Sequence, residues 1–283
     1  MVKIMKIREV KKIVKGQPAT DGAGVRLIRV LGRNDVRDVD PFLMFDAFGS
    51  ENPKDYIKGF PMHPHRGIET ITYLLEGRVD HKDSLGNSDT LLDGDLQWMT
   101  AGSGILHEEM PKETKRLSGL QFWLNLPRKD KMAPPNYFPI SSDMVKKIEI
   151  DNGKVKLISG EFLGESGVSP KYVKATMMDV SINPNSQYDI HISSEQNTFV
   201  YILEGAAHFG EERTNVERYS VAIFSEGDTI RILASELGVR FILLAGKPLK
   251  EPVAWGGPIV MNTQEELQAA FSELSQGTFI KQH

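Results

Sequence analysis

Four residues with metal-ligating side chains form two short pairs in the first half of the chain. His63 and His65 lie two positions apart in "MHPHRGIET", and His107 and Glu109 lie two positions apart in "ILHEEMP". Residues two apart in an extended strand project from the same face, so the members of each pair can act together. If the two strands face each other, three imidazoles and one carboxylate converge, which predicts a metal site.

Each pair taken alone is also compatible with polar residues on a solvated strand. The presence of two pairs within one β-rich segment favours the metal site. A carboxylate ligand indicates a redox-active or hard-to-borderline divalent ion with open coordination positions, and it leaves iron, manganese, nickel, cobalt and zinc as alternatives. The chain has no cysteine, which excludes disulfides and thiolate ligands.

The elements that position these pairs are predicted to be β-strands. Runs rich in β-branched and aromatic residues, such as "ETITYLLEG", "LQFWLNL" and "TFVYILEG", alternate with turns marked by Gly, Asn, Asp and Pro. Many short strands separated by frequent turns are typical of a β-sandwich or barrel. Gly102 and Gly104, just before the second pair, are predicted to give the turn a positive φ or a close backbone approach.

One helix is predicted near the C-terminus. Thr263 and Glu266 have the spacing of a capping box, and Gly277 can end the helix. Four apolar residues then fall on one helical face: Leu267, Ala270, Phe271 and Leu274. We expect this face to pack against a sheet.

An internal repeat indicates two related β-domains. "TYLLEG" at 72–77 is matched by "VYILEG" at 200–205, and "GLQFWLNLP" is matched by "GVRFILLAGKP". The position equivalent to His65 is Ser193 and the one equivalent to His107 is Arg240, so we expect a metal only in the first repeat. His191, at the position equivalent to His63, is predicted to be hydrogen-bonded or at the surface, and His81, beside the "DSLGNSD" turn, is predicted to be exposed.

The overall composition is that of an ordinary globular protein. The 283 residues include 40% hydrophobic and 25% charged residues, with a formal net charge of −4. That charge argues against nucleic acid as a direct partner. No apolar stretch is long enough to span a membrane and no signal peptide is evident, so a location in the cytoplasm is expected. The chain is also expected to be a monomer.

The two site motifs carry a family resemblance. "HPHRGIETITYLLEG" followed by "GDLQWMTAGSGILHEEMP" resembles the cupin superfamily and, more closely, the pirin family. The opening "GAGVRLIRVLGRNDVRDVDPFLMFDAF" and the tail "EPVAWGGPIVMNTQEEL" are also similar to pirin. The resemblance implies an all-β bicupin, with two β-barrel or jelly-roll domains and a short C-terminal helix. The expected boundaries are 1–132 for a metal-binding cupin domain and 133–283 for a cupin domain without a metal site.

The resemblance also assigns the ligands. Pirins hold one metal through three His and one Glu, which implies His63, His65, His107 and Glu109 here. Many cupins instead use a Glu shortly after the H-x-H pair, where this chain has Glu69. The pirin pattern favours Glu109, and strand alternation turns Glu108 away from the His107 side.

The implied function is a metal-dependent dioxygenase, which makes it an oxidoreductase of the quercetinase type. Some pirins resemble flavonol dioxygenases that cleave quercetin with O2 to a depside and carbon monoxide. The implied cofactor is one divalent ion, with Fe(II) as the first choice and Mn, Ni, Co, Cu or Zn as alternatives, and Glu109 would act as general base. Two alternatives remain: a metal- or redox-dependent protein that modulates a transcription factor or metabolic enzyme, and an isomerase or hydrolase on the same fold.

Overall fold

The computed structural model describes residues 5–281, and most of them lie in β-strands. The first strands in chain order are β1 (Val10–Lys15), β2 (Gln17–Asp21), β3 (Val25–Leu31), β4 (Phe42–Ser50), β5 (Phe60–His65), β6 (Ile68–Glu76), β7 (Val79–Asp83), β8 (Ser88–Leu91), β9 (Leu96–Thr100), β10 (Ile105–Pro111), β11 (Leu117–Asn125) and β12 (Asn136–Ile140). The later strands are β13 (Lys146–Ile150), β14 (Gly153–Ser159), β15 (Glu161–Phe162), β16 (Glu165–Ser166), β17 (Ala175–Ile182), β18 (Gln187–His191), β19 (Asn197–Phe209), β20 (Thr214–Glu217), β21 (Ser220–Phe224), β22 (Thr229–Gly246), β23 (Ala254–Gly256) and β24 (Ile259–Met261). The α-helices are α1 (Val36–Val39) and α2 (Gln264–Ser275).

The chain forms two compact units. The first unit comprises residues 17–33, 41–144 and 249–281, and the second comprises residues 5–16, 34–40 and 145–248. Each unit combines distant parts of the chain, because β1 pairs with β21 and Ile259 of β24 bridges to Arg66. The domain division at 132/133 stays a prediction.

The first unit contains two antiparallel sheets that share a core. A seven-stranded sheet has the order β12-β9-β6-β11-β4-β3-β2, and a four-stranded sheet has the order β5-β10-β7-β8. Apolar side chains from both sheets meet in one buried cluster, for example Leu27 and Leu74 from the larger sheet and Val79 from the smaller one. The burial of β10 alternates along its length, as expected for a strand with one face toward the core.

The second unit is built around a nine-stranded sheet. Its main order is β1-β21-β19-β22-β17-β14-β13, with β18 also paired to β22 and β20 to β19. Its core is a large cluster of buried apolar residues, including Phe209, Phe224 and Phe241. These buried side chains fill the interior of the second unit.

The predicted repeat is confirmed by strand pairing. β6 contains "TYLLE" of the first motif and pairs with β11, and β19 contains "VYILEG" and pairs with β22. In both units the first of these strands also pairs with another strand on its other side, β9 and β21 respectively. The sequence similarity therefore reflects a repeated β-unit, and the predicted all-β architecture is confirmed.

The predicted C-terminal helix is α2. The Thr263 hydroxyl accepts from the Glu266 amide, and the Glu266 carboxylate accepts from the Thr263 amide, which completes the capping box. Leu267 and Ala270 are buried, whereas Phe271 is 41% exposed, with part of its ring next to Gly256 of β23. Neither α2 nor any other helix within residues 5–281 has the length and apolar character needed to cross a bilayer.

Candidate metal centre

Adjacent strands of the four-stranded sheet bring three histidines together. β5 carries His63 and His65, and β10 carries His107 directly opposite His63. The ring centroids of His63 and His107 are 4.4 Å apart, and those of His65 and His107 are 5.1 Å apart. One candidate ligand atom from each ring lies within 4.8 Å of the others. The predicted convergence of three imidazoles is therefore present.

The hydrogen bonds of His63 and His65 direct two lone pairs at each other. His63 Nδ1 lies 2.8 Å from the Pro61 carbonyl oxygen, and His65 Nδ1 lies 3.0 Å from that of Pro258. A carbonyl oxygen only accepts, so Nδ1 carries the hydrogen in both rings. The two Nε2 atoms, 3.1 Å apart, then face each other with lone pairs. Two lone pairs at that distance repel, and a cation that binds both removes the repulsion, so the histidines fit a metal ion.

Burial keeps His65 and His107 in the neutral form that binds metal. His65 is 3% exposed and His107 is fully buried. Loss of hydration lowers the pKa of His65 to about 3, with the neighbouring His63 acting in the same direction. Burial lowers the pKa of His107 well below its usual value, with His65 and His63 contributing. Neutral imidazole is the metal ligand, so neither His65 nor His107 has to lose a proton at neutral pH before it binds an ion.

Glu109 lies close to the histidine cluster but outside it. The pairing of β10 with β5 shifts register between His107 and Glu109, so Glu109 lies opposite Phe60. Its Oε1 accepts hydrogen bonds from Gln97 Nε2 and Thr72 Oγ1, two side chains of the larger sheet. The group of ligand atoms within 4.8 Å contains the three histidines alone among the described residues. Metal ligation by Glu109 therefore stays a prediction.

The other two acidic residues near the motifs, Glu69 and Glu108, make contacts away from the histidine cluster. Glu69 is buried and accepts from Thr100 Oγ1 at 2.8 Å, and it is absent from the described lining of the cavity that contains Glu109. Glu108 is half-buried, with Oε1 4.0 Å from Lys82 Nζ on the neighbouring strand. Glu109 is thus the member of the three that shares the cavity with His63 and His65.

A cavity of about 690 Å³ opens beside the histidines, within the first unit. Trp123 packs its ring edge-on against His65 at 5.0 Å, and Trp255 lies 5.8 Å from Trp123. The Arg33 guanidinium lies 5.2 Å above the Trp255 ring. Together with apolar side chains such as Phe48, these residues form a mainly apolar wall. Such a volume and lining suit a planar aromatic molecule.

The turn glycines are confirmed. Gly102 has a φ of +50° and Gly104 a φ of +141°. A Cβ atom at Gly102 would lie 2.0 Å from the Ala133 carbonyl oxygen, so a side chain is excluded there. The glycines allow the chain to turn tightly into β10 and deliver His107 to the cluster.

The prediction that His81 is exposed is wrong. His81 is completely buried, and its ring stacks on Tyr137 with centroids 4.2 Å apart. The turn that follows suggested exposure, but His81 itself lies in β7, which pairs with β10. His81 and Asp83 lie two positions apart, as do the members of the two predicted ligand pairs. That spacing in "VDHKD" is the sequence signal that indicates a His–Asp pair on one face of β7.

The second unit has different side chains at the equivalent positions. Arg240 forms a paired hydrogen bond with the Asp179 carboxylate, and His191 is an exposed residue whose Nδ1 lies 3.0 Å from Thr229 Oγ1, as its predicted role requires. Restriction of the metal to the first unit stays a prediction.

Comparisons with known proteins agree with the resemblance in the motifs. The family model described as Pirin matches residues 24–124, and the model described as Pirin C-terminal cupin domain matches residues 177–280. A pirin-like protein of Caulobacter vibrioides is 42% identical over 279 residues, covering 97% of this chain and 100% of that protein. Human pirin is 38% identical over 267 residues, covering 93% and 91%.

A solved structure has the same fold as this chain. The chain resembles a quercetin 2,3-dioxygenase from Acinetobacter baumannii with a TM-score of 0.90 and 30% identity, covering 96% of this chain and 98% of that one. Together with the C-terminal cupin match, this confirms the bicupin fold expected from the sequence.

Proposed function

The chain belongs to the pirin family, and from that premise we propose that it is a metal-dependent dioxygenase that cleaves flavonols such as quercetin with O2. The observation that carries the proposal is the histidine cluster, in which two Nε2 lone pairs face each other beside an aromatic-lined cavity. The relative named as a quercetin 2,3-dioxygenase supports the choice of substrate class. Fe(II) is the proposed ion, since the chemistry uses O2.

The histidines would hold the ion, and Glu109 would complete the set. A divalent metal, when bound, lowers the pKa of a coordinated hydroxyl group and orients it for reaction. The protein contributes a fixed arrangement: backbone carbonyls of Pro61 and Pro258 hold His63 and His65 in one tautomer. Such outer hydrogen bonds orient ligands before the ion arrives.

Glu109 would be the general base for the flavonol 3-hydroxyl. Both hydrogen bonds described for its carboxylate end at Oε1, from Gln97 and Thr72. These bonds hold Oε1 at the cavity wall, so Oε2 would be the atom that binds the ion. If Oε2 binds the ion loosely or leaves it, Oε2 could take the proton from a hydroxyl group within hydrogen-bond reach. Gln97 is itself fully buried, which keeps the arrangement rigid.

The aromatic wall would bind and orient the flavonol. Trp123 and Trp255 offer two indole rings to a flat substrate, and offset or edge contacts between aromatic rings contribute about 0.5–1.5 kcal/mol each beyond their buried area. The apolar lining would exclude water around the reacting ring. Arg33, over Trp255, would meet the oxygen-bearing edge of a substrate that extends outward.

Oxygen uptake with quercetin tests the proposal. Wild type loaded with Fe(II) should consume O2 and bleach the visible absorption of quercetin, and His107→Ala should do neither at matched total metal. His191→Ala is the matched control, because His191 is an exposed histidine of the second unit. Equal bleaching by wild type and His107→Ala would contradict the proposal and favour the regulatory alternative, which stays a prediction together with the cytoplasmic location.

A further inference from the structure

A buried histidine–aspartate pair lies beside His107 and has no part in the function proposed above. His81 Nε2 lies 3.2 Å from Asp83 Oδ2, and both side chains are completely buried. The ring of His81 is 5.6 Å from that of His107, centroid to centroid. His81 also stacks on Tyr137 with an interplanar angle of 14°. The ring of His81 therefore has both Tyr137 and His107 as neighbours.

The aspartate fixes the tautomer of His81. Asp83 Oδ1 accepts from the backbone amides of Leu85 and Asn87, and Oδ2 accepts from Asn87 Nδ2 at 2.8 Å. A carboxylate surrounded by donors accepts from His81 as well, so His81 Nε2 carries the hydrogen. In the neutral ring, Nδ1 of His81 is then a hydrogen-bond acceptor.

That acceptor has no partner among the described residues. His81 Nδ1 is buried without a hydrogen bond, and the same holds for both ring nitrogens of His107. A buried polar atom without a partner costs roughly 1–3 kcal/mol, so three such atoms in two neighbouring rings require an explanation.

The three clustered histidines differ in their outer contacts. His63 and His65 each place Nδ1 within hydrogen-bond distance of a backbone carbonyl, whereas His107 has no such contact. A histidine that binds metal through one ring nitrogen carries a hydrogen on the other, and that N–H needs an acceptor. His81 Nδ1 is the unpartnered acceptor in the ring that contacts His107.

We propose that Asp83, His81 and His107 form a hydrogen-bonded chain that positions His107 for the metal, an inference that rests on the proposed metal centre. In this chain His107 donates its outward N–H to His81 Nδ1, and His81 donates Nε2–H to Asp83. The two rings lie 5.6 Å apart, centroid to centroid, without this hydrogen bond, and the proposal assigns the bond to the metal-bound protein. His81 is a positioning residue, since it acts on the metal only through His107.

Metal affinity of two His81 variants tests this chain. His81→Met removes the acceptor, and His81→Gln, of similar size, keeps an amide oxygen that can accept from His107. Competition between full-length protein and a chelator for Co(II), without flavonol, should show an affinity about 10- to 100-fold weaker in His81→Met. His81→Gln should recover most of that loss, and the visible Co(II) spectrum should change in His81→Met and return toward that of wild type in His81→Gln.

Controls separate this role from packing. Tyr137→Phe keeps the stacked ring and removes only the hydrogen bond to Asp89, so its Co(II) affinity should equal that of wild type. Equal losses in the Met and Gln variants, or an affinity in His81→Met within twofold of wild type, would overturn the inference. If His81→Met does not fold, Asp83→Asn tests the other end of the chain, and unchanged affinity there overturns the inference as well.

The measurement is independent of the proposed reaction. Co(II) binding that depends on His81, in a protein that does not oxidise quercetin, would remove the dioxygenase proposal and leave the positioning role intact. A protein that binds no Co(II) would overturn the positioning role.

Discussion

Glu109→Gln separates the charge of this side chain from its hydrogen bonds. Oε1 accepts from Gln97 and Thr72, and an amide oxygen can accept the same two bonds. Glu109 is only 7% exposed, so water screens its negative charge weakly, and a nearby cation would feel it strongly. We therefore expect the metal-free fold to be retained and the metal affinity to fall.

The size of the loss follows from the change of one charged contact. An interaction that involves a charged partner contributes roughly 1.5–3 kcal/mol, which corresponds to a Kd about 10- to 150-fold weaker. At a fixed excess of metal, the metal-induced gain in the free energy of unfolding should fall by up to about the same amount. The free energy of unfolding of the metal-free protein should change by less than about 1 kcal/mol.

Urea denaturation with and without metal measures both quantities, and chelator competition gives the affinity directly. Glu108→Gln is the matched control, because Glu108 is half-buried and its carboxylate lies 4.0 Å from Lys82 Nζ, a long ion pair. Glu108→Gln should change both the free energy of metal binding and the free energy of unfolding by less than about 0.5 kcal/mol. Equal losses of affinity in the two variants, or an unchanged affinity in Glu109→Gln, would refute the reasoning.

Three further predictions concern the cavity, pH and a buried lysine. Trp255→Ala should weaken quercetin binding about 3- to 10-fold in an anaerobic fluorescence titration, from the loss of one aromatic contact, and unchanged affinity would exclude its role in the wall. The pKa of His65 is lowered to about 3, so between pH ~6.5 and ~3 the unfolded chain binds more protons than the folded one. The free energy of unfolding of the metal-free protein should therefore fall as the pH drops below ~6.5, and His65 contributes at most ~1.4 kcal/mol per pH unit. In His65→Gln the urea midpoint should change less with pH than it does in wild type. Lys131→Met should reduce the free energy of unfolding by roughly 2–4 kcal/mol, since Lys131 Nζ donates to three buried oxygens, on Gly67, Asn125 and Val260, and of these Gly67 keeps a second donor, the Leu126 amide. A loss below about 1 kcal/mol in urea denaturation would contradict this.

Local rules predicted the parts of the site that depend on neighbouring residues. Strand alternation placed His63 and His65 on one side, and glycine chemistry marked the turn into β10. The capping box at Thr263 correctly located the start of α2. Each of these features depends on residues a few positions apart, so the sequence contains the necessary information.

Features that depend on tertiary contacts were not predicted. The carbonyl that fixes the tautomer of His65 belongs to Pro258, 193 residues further along the chain. The register shift between His107 and Glu109 arises from pairing with β5, and no residue type in "LHEEMP" marks it. His81 was placed at the surface because a polar turn follows it, whereas β10 and Tyr137 bury it.

Elemental analysis of wild type and His107→Ala tests the metal centre most directly. Freshly purified wild type should contain one divalent metal per chain, and His107→Ala should contain almost none while remaining a folded β-protein by circular dichroism. Two metals per chain in wild type, no metal in any preparation, or a full complement of metal in His107→Ala would contradict the assignment of the ion to the three histidines.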